Sequence, residues 1–434
     1  MKRFMVLLAG GCALFVSVAS PAAAAQRLTF RVSEASGSGD PVANSSWPSV
    51  SSDGRYIAFS SWASNLVAGD TNDASDIFVR DVQTGTTTRV SVSSNGTQAN
   101  GSSFTPSIAA DGDAVAFRSD ATNLVSGDTE GHTDIFVHVI STGVTTRVSQ
   151  TTTGVGANDD SSEPAISGDG KFVAFSSIAT NLVSASVNAS GICCDIFVHT
   201  MANGRNRLGD PMMGGGGASD SFLPVLSATG RYLAFASWGC NIAPDVECLD
   251  ESNVYERDMQ SGTMTLVTRA YSGSVGLGCG ANPAISADGT KVAFISDGAN
   301  LVPGDTNGAY DVFERDLTTG ITTRVSVTSQ GHQTNGGLGR VTMSADGRLV
   351  VFQSDAWNLV PNDDNQVQDI FIHDLRSGKT RRVSVSSAGT EADAYSADAA
   401  ISADGRTVAF ESDADDLIAS DQNGTTDIFA RVPA

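Results

Sequence analysis

One phrase returns seven times in this chain at a spacing of 58 to 60 residues. It runs strand, Asp-Gly turn, strand, long acidic loop, strand, Thr-Gly turn, strand. The marker falls at Asp53-Gly54, Asp111-Gly112, Asp169-Gly170, Asp288-Gly289, Asp346-Gly347 and Asp404-Gly405, with Thr229-Gly230 in a degenerate fourth copy. A unit of this kind cannot bury its apolar faces alone and must stack on its neighbours. Four strands per unit at this period predict an all-β, seven-bladed β-propeller of four-stranded blades.

Residues 1–25 read as a secretory signal peptide outside the fold. Lys2 and Arg3 precede an apolar run from Phe4 to about Val18, and Ala23-Ala24-Ala25 offers a small-residue cleavage site. Cys12 follows a poor lipobox, so plain secretion to the periplasm or beyond is the expectation. Residues 26–434 are then filled by the seven units, and no other stretch approaches membrane-spanning length.

The repeats carry two aromatic columns. The second strand supplies Phe59, Phe117, Phe175, Phe235, Phe294, Phe352 and Phe410. The third supplies Phe78, Phe136, Phe197, Tyr255, Phe313, Phe371 and Phe429. One large apolar residue per strand is what face-to-face blade packing requires, so these are core rather than a ligand box. An arginine column is read in the fourth strand at Arg31, Arg89, Arg147, Arg207, Arg269, Arg324 and Arg382. Arg31 precedes the first complete unit, and the last unit stops at Arg431-Val-Pro-Ala. The N-terminal strand is therefore expected to complete the seventh blade and remove an exposed sheet edge. The first strands, from Pro48-Ser-Val-Ser to Ala399-Ala-Ile-Ser, would line the central channel with Ser, Ala and Thr and no acid–base pair.

The formal charge is −22. The seven loops between second and third strands (62–76, 120–134, 178–195, 238–253, 297–311, 355–369 and 413–427) hold 24 acidic residues and no Lys or Arg. Strand alternation puts all seven on one face. Such a chain offers nucleic acid no basic footprint. It suits a protein or other cationic partner, with the propeller itself a monomer.

Five of these loops place oxygen-bearing side chains at positions one, three and seven: Asp70/Asn72/Asp76, Asp128/Glu130/Asp134, Asp305/Asn307/Asp311, Asp363/Asn365/Asp369 and Asp421/Asn423/Asp427. Three have Gly at position four. Hard cations want several oxygens from a tight turn, so calcium is a candidate ligand. The alternative is an Asx turn whose last Asp opens the third strand and pairs with the arginine column. The third and fourth loops lack the pattern, which rules out a uniform ring of sites.

Cys193, Cys194, Cys240, Cys248 and Cys279 map to the same face. In an oxidising compartment two disulfides are expected, Cys240–Cys248 being the simplest pair. No nucleophile elbow, His-Glu-x-x-His or phosphate loop is present. His138, His199 and His373 alternate with Arg80, Arg257, Arg315 and Arg431 in one column and read as structural. His132 and His332 are the only loose candidates for catalysis.

The unit Pro283–Phe294, followed by Asp311–Asp316 and a Thr-Arg-Val-Ser strand, resembles the WD40-like repeat of TolB-type propellers. The resemblance covers nearly all of 26–434. It implies an extracytoplasmic bacterial propeller that binds protein rather than turning over substrate. TolB carries an additional N-terminal α/β domain, six blades and a short second loop, so the family's fold carries over and its Tol–Pal partnership does not. The expectation is a non-enzymatic binding scaffold with an acidic, calcium-organised face. A hydrolase or lyase with its site at the channel mouth is the alternative.

Overall fold

The structure, a computed structural model, describes residues 28–37, 39–129, 131–183, 194–211, 220–239, 242–243 and 251–432. The signal segment, Glu130, Cys193, Cys240 and Cys248 lie outside the described residues. Seven four-stranded antiparallel sheets follow one another around a ring. The first blade comprises Ser45–Val50, Tyr56–Ser61, Asp76–Asp81 and Thr86–Arg89. The seventh comprises Ser396–Ile401, Val408–Ser412 and Asp427–Arg431, and takes its fourth strand from Thr29–Arg31 at the other end of the chain. Among the described residues no helix is long and apolar enough to cross a membrane.

The aromatic columns form one stacked pair per blade, from Phe59–Phe78 to Phe410–Phe429, with ring centroids 5.8–6.1 Å apart. All fourteen rings are at most 1 % exposed. Each pair fills the gap to the preceding blade. Phe117 and Phe136, for example, share a cluster with Ile77, Val79 and Val90 of blade one. Each such side chain contributes about 1.5–3 kcal/mol by burial.

At the Asp-Gly face the blades are tied by a closed circle of backbone hydrogen bonds. The donors run Ser52 to Ala110, Ala110 to Gly168, Asp169 to Ala228, Ala228 to Ala287, Ala287 to Ala345, Ala345 to Ala403, and Ala403 back to Ser52, at 2.8–3.0 Å. The turn glycines make this approach possible. Gly112 has φ +78°, and a Cβ there would lie 2.2 Å from the Tyr56 ring of the preceding blade. Only glycine satisfies both demands.

Candidate functional site

The two candidate regions lie on the long-loop face. The first is the set of acidic loops. In five blades the fourth-strand arginine inserts between the first and last Asp of its loop. Arg89 meets Asp70 at 3.4 Å and Asp76 at 3.5 Å. Arg147 meets Asp128 and Asp134 at 3.3 and 3.2 Å. Arg324 meets Asp305 and Asp311 at 3.2 and 3.6 Å. Arg382 meets Asp363 and Asp369 at 3.6 and 3.1 Å, and also Glu391. Arg31 crosses the chain termini to Asp421 and Asp427 at 3.3 and 3.2 Å, and also pairs with Asp40.

The last Asp of each set is almost fully buried and accepts from a serine two residues beyond the arginine: Ser91, Ser149, Ser326, Ser384 or Ser33. Asn72, Asn307, Asn365 and Asn423 donate through Nδ2 to that Asp at 2.9–3.2 Å. Their Oδ1 atoms accept the backbone N–H two residues on, an Asx turn. Burial pushes the carboxyls of Asp134 and Asp427 up to about 6 despite their serine and arginine partners.

The sequence pattern thus does bring Asp, Asn and Asp together in four sets, and Asp128 with Asp134 in the fifth. The cation between the carboxylates is a guanidinium, and each Asn presents N–H₂ where a metal would need oxygen. The long-loop face is accordingly less bare of positive charge than its loop composition implies.

Two members of the arginine column are corrected by the strand register. Phe78 lies opposite Arg89, but Phe197 lies opposite Leu208 and Tyr255 opposite Leu266. Arg207 and Arg269 are displaced by one and three residues. In blade four the lost arginine is matched by Asn253 in place of Asp, hydrogen-bonded to Thr268 at 2.7 Å. Ion and counter-ion disappear together, as expected when a lone buried carboxylate would be costly.

The second region is the mouth of the channel, which the sequence offered only as the place for the alternative activity and without the residues that form it. Each first strand begins three residues before the Pro48-type position, as in Ser45–Val50, and carries a bulge where register shifts against the second strand. The bulge residue has left-handed backbone in six blades: Trp47, Thr105, Glu163, Leu223, Asn282 and Asp398, with φ between +45° and +54°. Arg340 takes the same place in blade six. Non-glycine residues in this region are strained, by about 1–3 kcal/mol each, and persist only where neighbours hold them. The preceding blade supplies that hold. Glu411 accepts from the Trp47 N–H at 3.2 Å, Glu163 from Leu223 at 2.7 Å, and Gln353 from Asp398 at 2.9 Å.

These residues line a cavity of about 720 Å³. Ser45 pairs with Ser61, the residue before the long loop, so the bulges ring the mouth at the long-loop face. Beyond them Ser49, Ser107, Ala165, Ala284, Thr342 and Ala400 line the channel as expected, but prolines and Val225, Leu226, Ile285 and Met343 share the lining, and the mouth adds Trp47, Arg118, Glu163, Arg340 and Asp398. A visible signal existed: one column, immediately before a position that is Pro in five repeats and Val341 or Ala399 in the other two, reads Trp, Thr, Glu, Leu, Asn, Arg, Asp.

His138, His199 and His373 are buried within the blades and bonded to Thr145, Asn206 and Thr380 at 2.9 Å. His132 lies 3.5 Å from Asp160, in a cluster with Asp159, and the structure does not join it to His332. Cys279 forms no disulfide among the described residues.

No protein-family model matches the chain, and no curated protein matches it. Solved structures do. An oligogalacturonate lyase in complex with manganese superposes with a TM-score of 0.56 at 12% identity, covering 94% of this chain and 96% of that one. The β-propeller domain of the Trilobed protease from Pyrococcus furiosus gives 0.54 at 9% identity over 90% and 95%. TolB from Acinetobacter baumannii gives 0.42 at 17% identity, covering 79% of this chain, which spans 64% of that TolB's length. At these identities the likeness establishes the propeller fold; the TolB superposition is too loose to bear on function.

Proposed function

We propose that this is an extracytoplasmic binding propeller that receives a protein or other ligand at the channel mouth and performs no chemistry of its own. One observation carries this reading. Framework positions such as the two aromatic columns repeat almost unchanged around the ring, while the bulge position, strained in six blades, differs in all seven and faces the cavity. Strain held at a variable, concave position is the mark of a recognition surface rather than of packing. Secretion follows from residues 1–25, and acidic side chains outside the ion pairs leave the surrounding rim suited to a cationic partner. Calcium would have to displace a guanidinium to organise that rim.

Capture of partners from an extracytoplasmic extract tests the reading. Trp47→Ala and Arg340→Glu at the mouth should abolish capture, and Arg406→Glu at the Asp-Gly face should not. The reverse pattern would sink it.

A lyase or hydrolase is the second reading, favoured by Glu411. Its carboxyl is pushed up to about 7 by burial and by Asp398, and it stands beside the mouth where an acid–base group would be needed. Turnover of any glycan that is lost in Glu411→Gln would establish it.

A further inference from the structure

We infer that the sector of the mouth between blades one and two is a binding site for a carboxylate carried beside a ring or apolar face. The inference rests on the mouth being the binding surface, and it assigns the ligand's chemistry.

Arg118 lines the cavity and makes no hydrogen bond or ion pair among the described residues. Its Nε is buried without a partner. The corresponding residues of the other blades are Ser60, Ser176, Ala236, Ile295, Gln353 and Glu411, so the repeat does not require an arginine here. The carboxylates of the mouth are engaged elsewhere. Glu163 accepts from Leu223 and Ser176, Glu411 from Trp47, and Asp398 pairs with Arg340 at 3.4 Å. A half-buried guanidinium left without an anion, in a chain of formal charge −22, is costly unless something else completes it.

The surroundings define that something. Arg118 lies over the Phe104 ring, its Cζ 5.3 Å from the centroid. Trp47 meets Phe104 edge-on at 5.8 Å, and Trp62, half exposed and also from blade one, meets it at 5.8 Å. Thr105, the bulge residue of blade two, has its Oγ1 buried without a hydrogen-bond partner. The sector therefore offers a planar cationic fork, a hydroxyl and an aromatic wall. A guanidinium fork matches a carboxylate in two parallel hydrogen bonds, and stacking on Phe104 fixes its plane. Glu163, Asp398 and Glu411 stand around the same mouth and disfavour a more highly charged anion such as a phosphate monoester.

Two sources share this chemistry: an acidic sugar, whose ring face suits Trp47, and a peptide C-terminus with an apolar last side chain. Calorimetric titration of the purified protein separates them. The probes are the single sugar galacturonate against its methyl ester, and Ala-Ala-Phe with a free against an amidated terminus. The expected result is saturable binding of one acidic probe, at least tenfold weaker for its neutral counterpart. Arg118→Gln, at unchanged thermal midpoint, should weaken the acidic probe by the same factor. Equal affinity for acidic and neutral probes overturns the inference, as does wild-type affinity in Arg118→Gln or no binding of either acid. Should Arg118→Gln fail to fold, the acid–neutral comparison on the unaltered protein still decides. Neutral probes bound equally well, and lost in Trp47→Ala, would leave the mouth as the binding surface while removing the carboxylate.

Discussion

Asp210 stands against Asp195 in the third blade, at the place where five other blades put the serine that donates to the buried Asp. The register makes the correspondence: Asp210 lies two residues beyond Leu208, as Ser91 lies two beyond Arg89. Both carboxyls are buried, at 3 % and 5 % exposure, and each keeps one oxygen without a hydrogen-bond partner. Leu208 removes the arginine that bridges such carboxylates elsewhere. Burial pushes Asp195 up to about 6; burial and the charge of Asp195 push Asp210 up to about 7.

A pH dependence follows from this pair. Between the ordinary Asp range near 4 and about 7, the folded chain holds a proton that the unfolded chain has released, so stability falls as pH rises through that window. Asp210→Ser restores the repeat's own residue. Its thermal midpoint should exceed that of the unaltered protein at pH 8, and the difference should shrink towards pH 4.5. A midpoint difference that does not change with pH would show that the pair does not hold a proton.

The arginine bridges should matter more than surface ion pairs do. Arg324 is 8 % exposed and serves Asp305 and Asp311. Arg324→Leu leaves two buried carboxylates uncompensated and should cost about 3 kcal/mol in urea unfolding. Adding Asp311→Asn and Ser326→Thr copies blade four and should recover at least half of that loss.

Calcium should not stabilise the unaltered protein, because a guanidinium holds the cation position. Saturating a site at about 100-fold over Kd would add roughly 2.7 kcal/mol. The carboxylate oxygens of Asp363, Asp369 and Glu391 all lie within 4.8 Å of one another around Arg382. Arg382→Ala should therefore gain a calcium-dependent rise in thermal midpoint that magnesium does not reproduce. A calcium-specific rise in the unaltered protein would instead make the five loops metal sites.

Ring closure depends on a segment of three residues, Thr29–Arg31, paired to Phe429–Arg431. Removing residues 28–33 exposes the edge of the last third strand and strands Asp421 and Asp427 without Arg31. Concentration-dependent aggregation and a lowered midpoint are expected in light scattering and thermal unfolding. A monomeric variant of unchanged midpoint would show that closure is dispensable.

The architecture was legible in the chain because repetition is a one-dimensional property. Six Asp-Gly markers with Thr229-Gly230 in the fourth copy, two aromatic columns and an unfinished last unit state the blade count, the core and the closing strand without coordinates. Local turn chemistry was equally legible, since Asn72 and Asp76 sit within one turn of one another. What occupies the acidic pocket was not, because Arg89 reaches Asp70 across 19 residues, and Leu208 and Leu266 displace Arg207 and Arg269 only once strands are paired. The channel mouth was hidden for the same reason. A bulge exists only between two strands, and its N–H is held by a third strand from another blade, as Glu411 holds Trp47 across 364 residues. Sequence alone therefore determined the ring, through local periodicity. Tertiary structure decided which charges are neutralised within it and which side chains face the cavity, because both depend on pairings between distant segments.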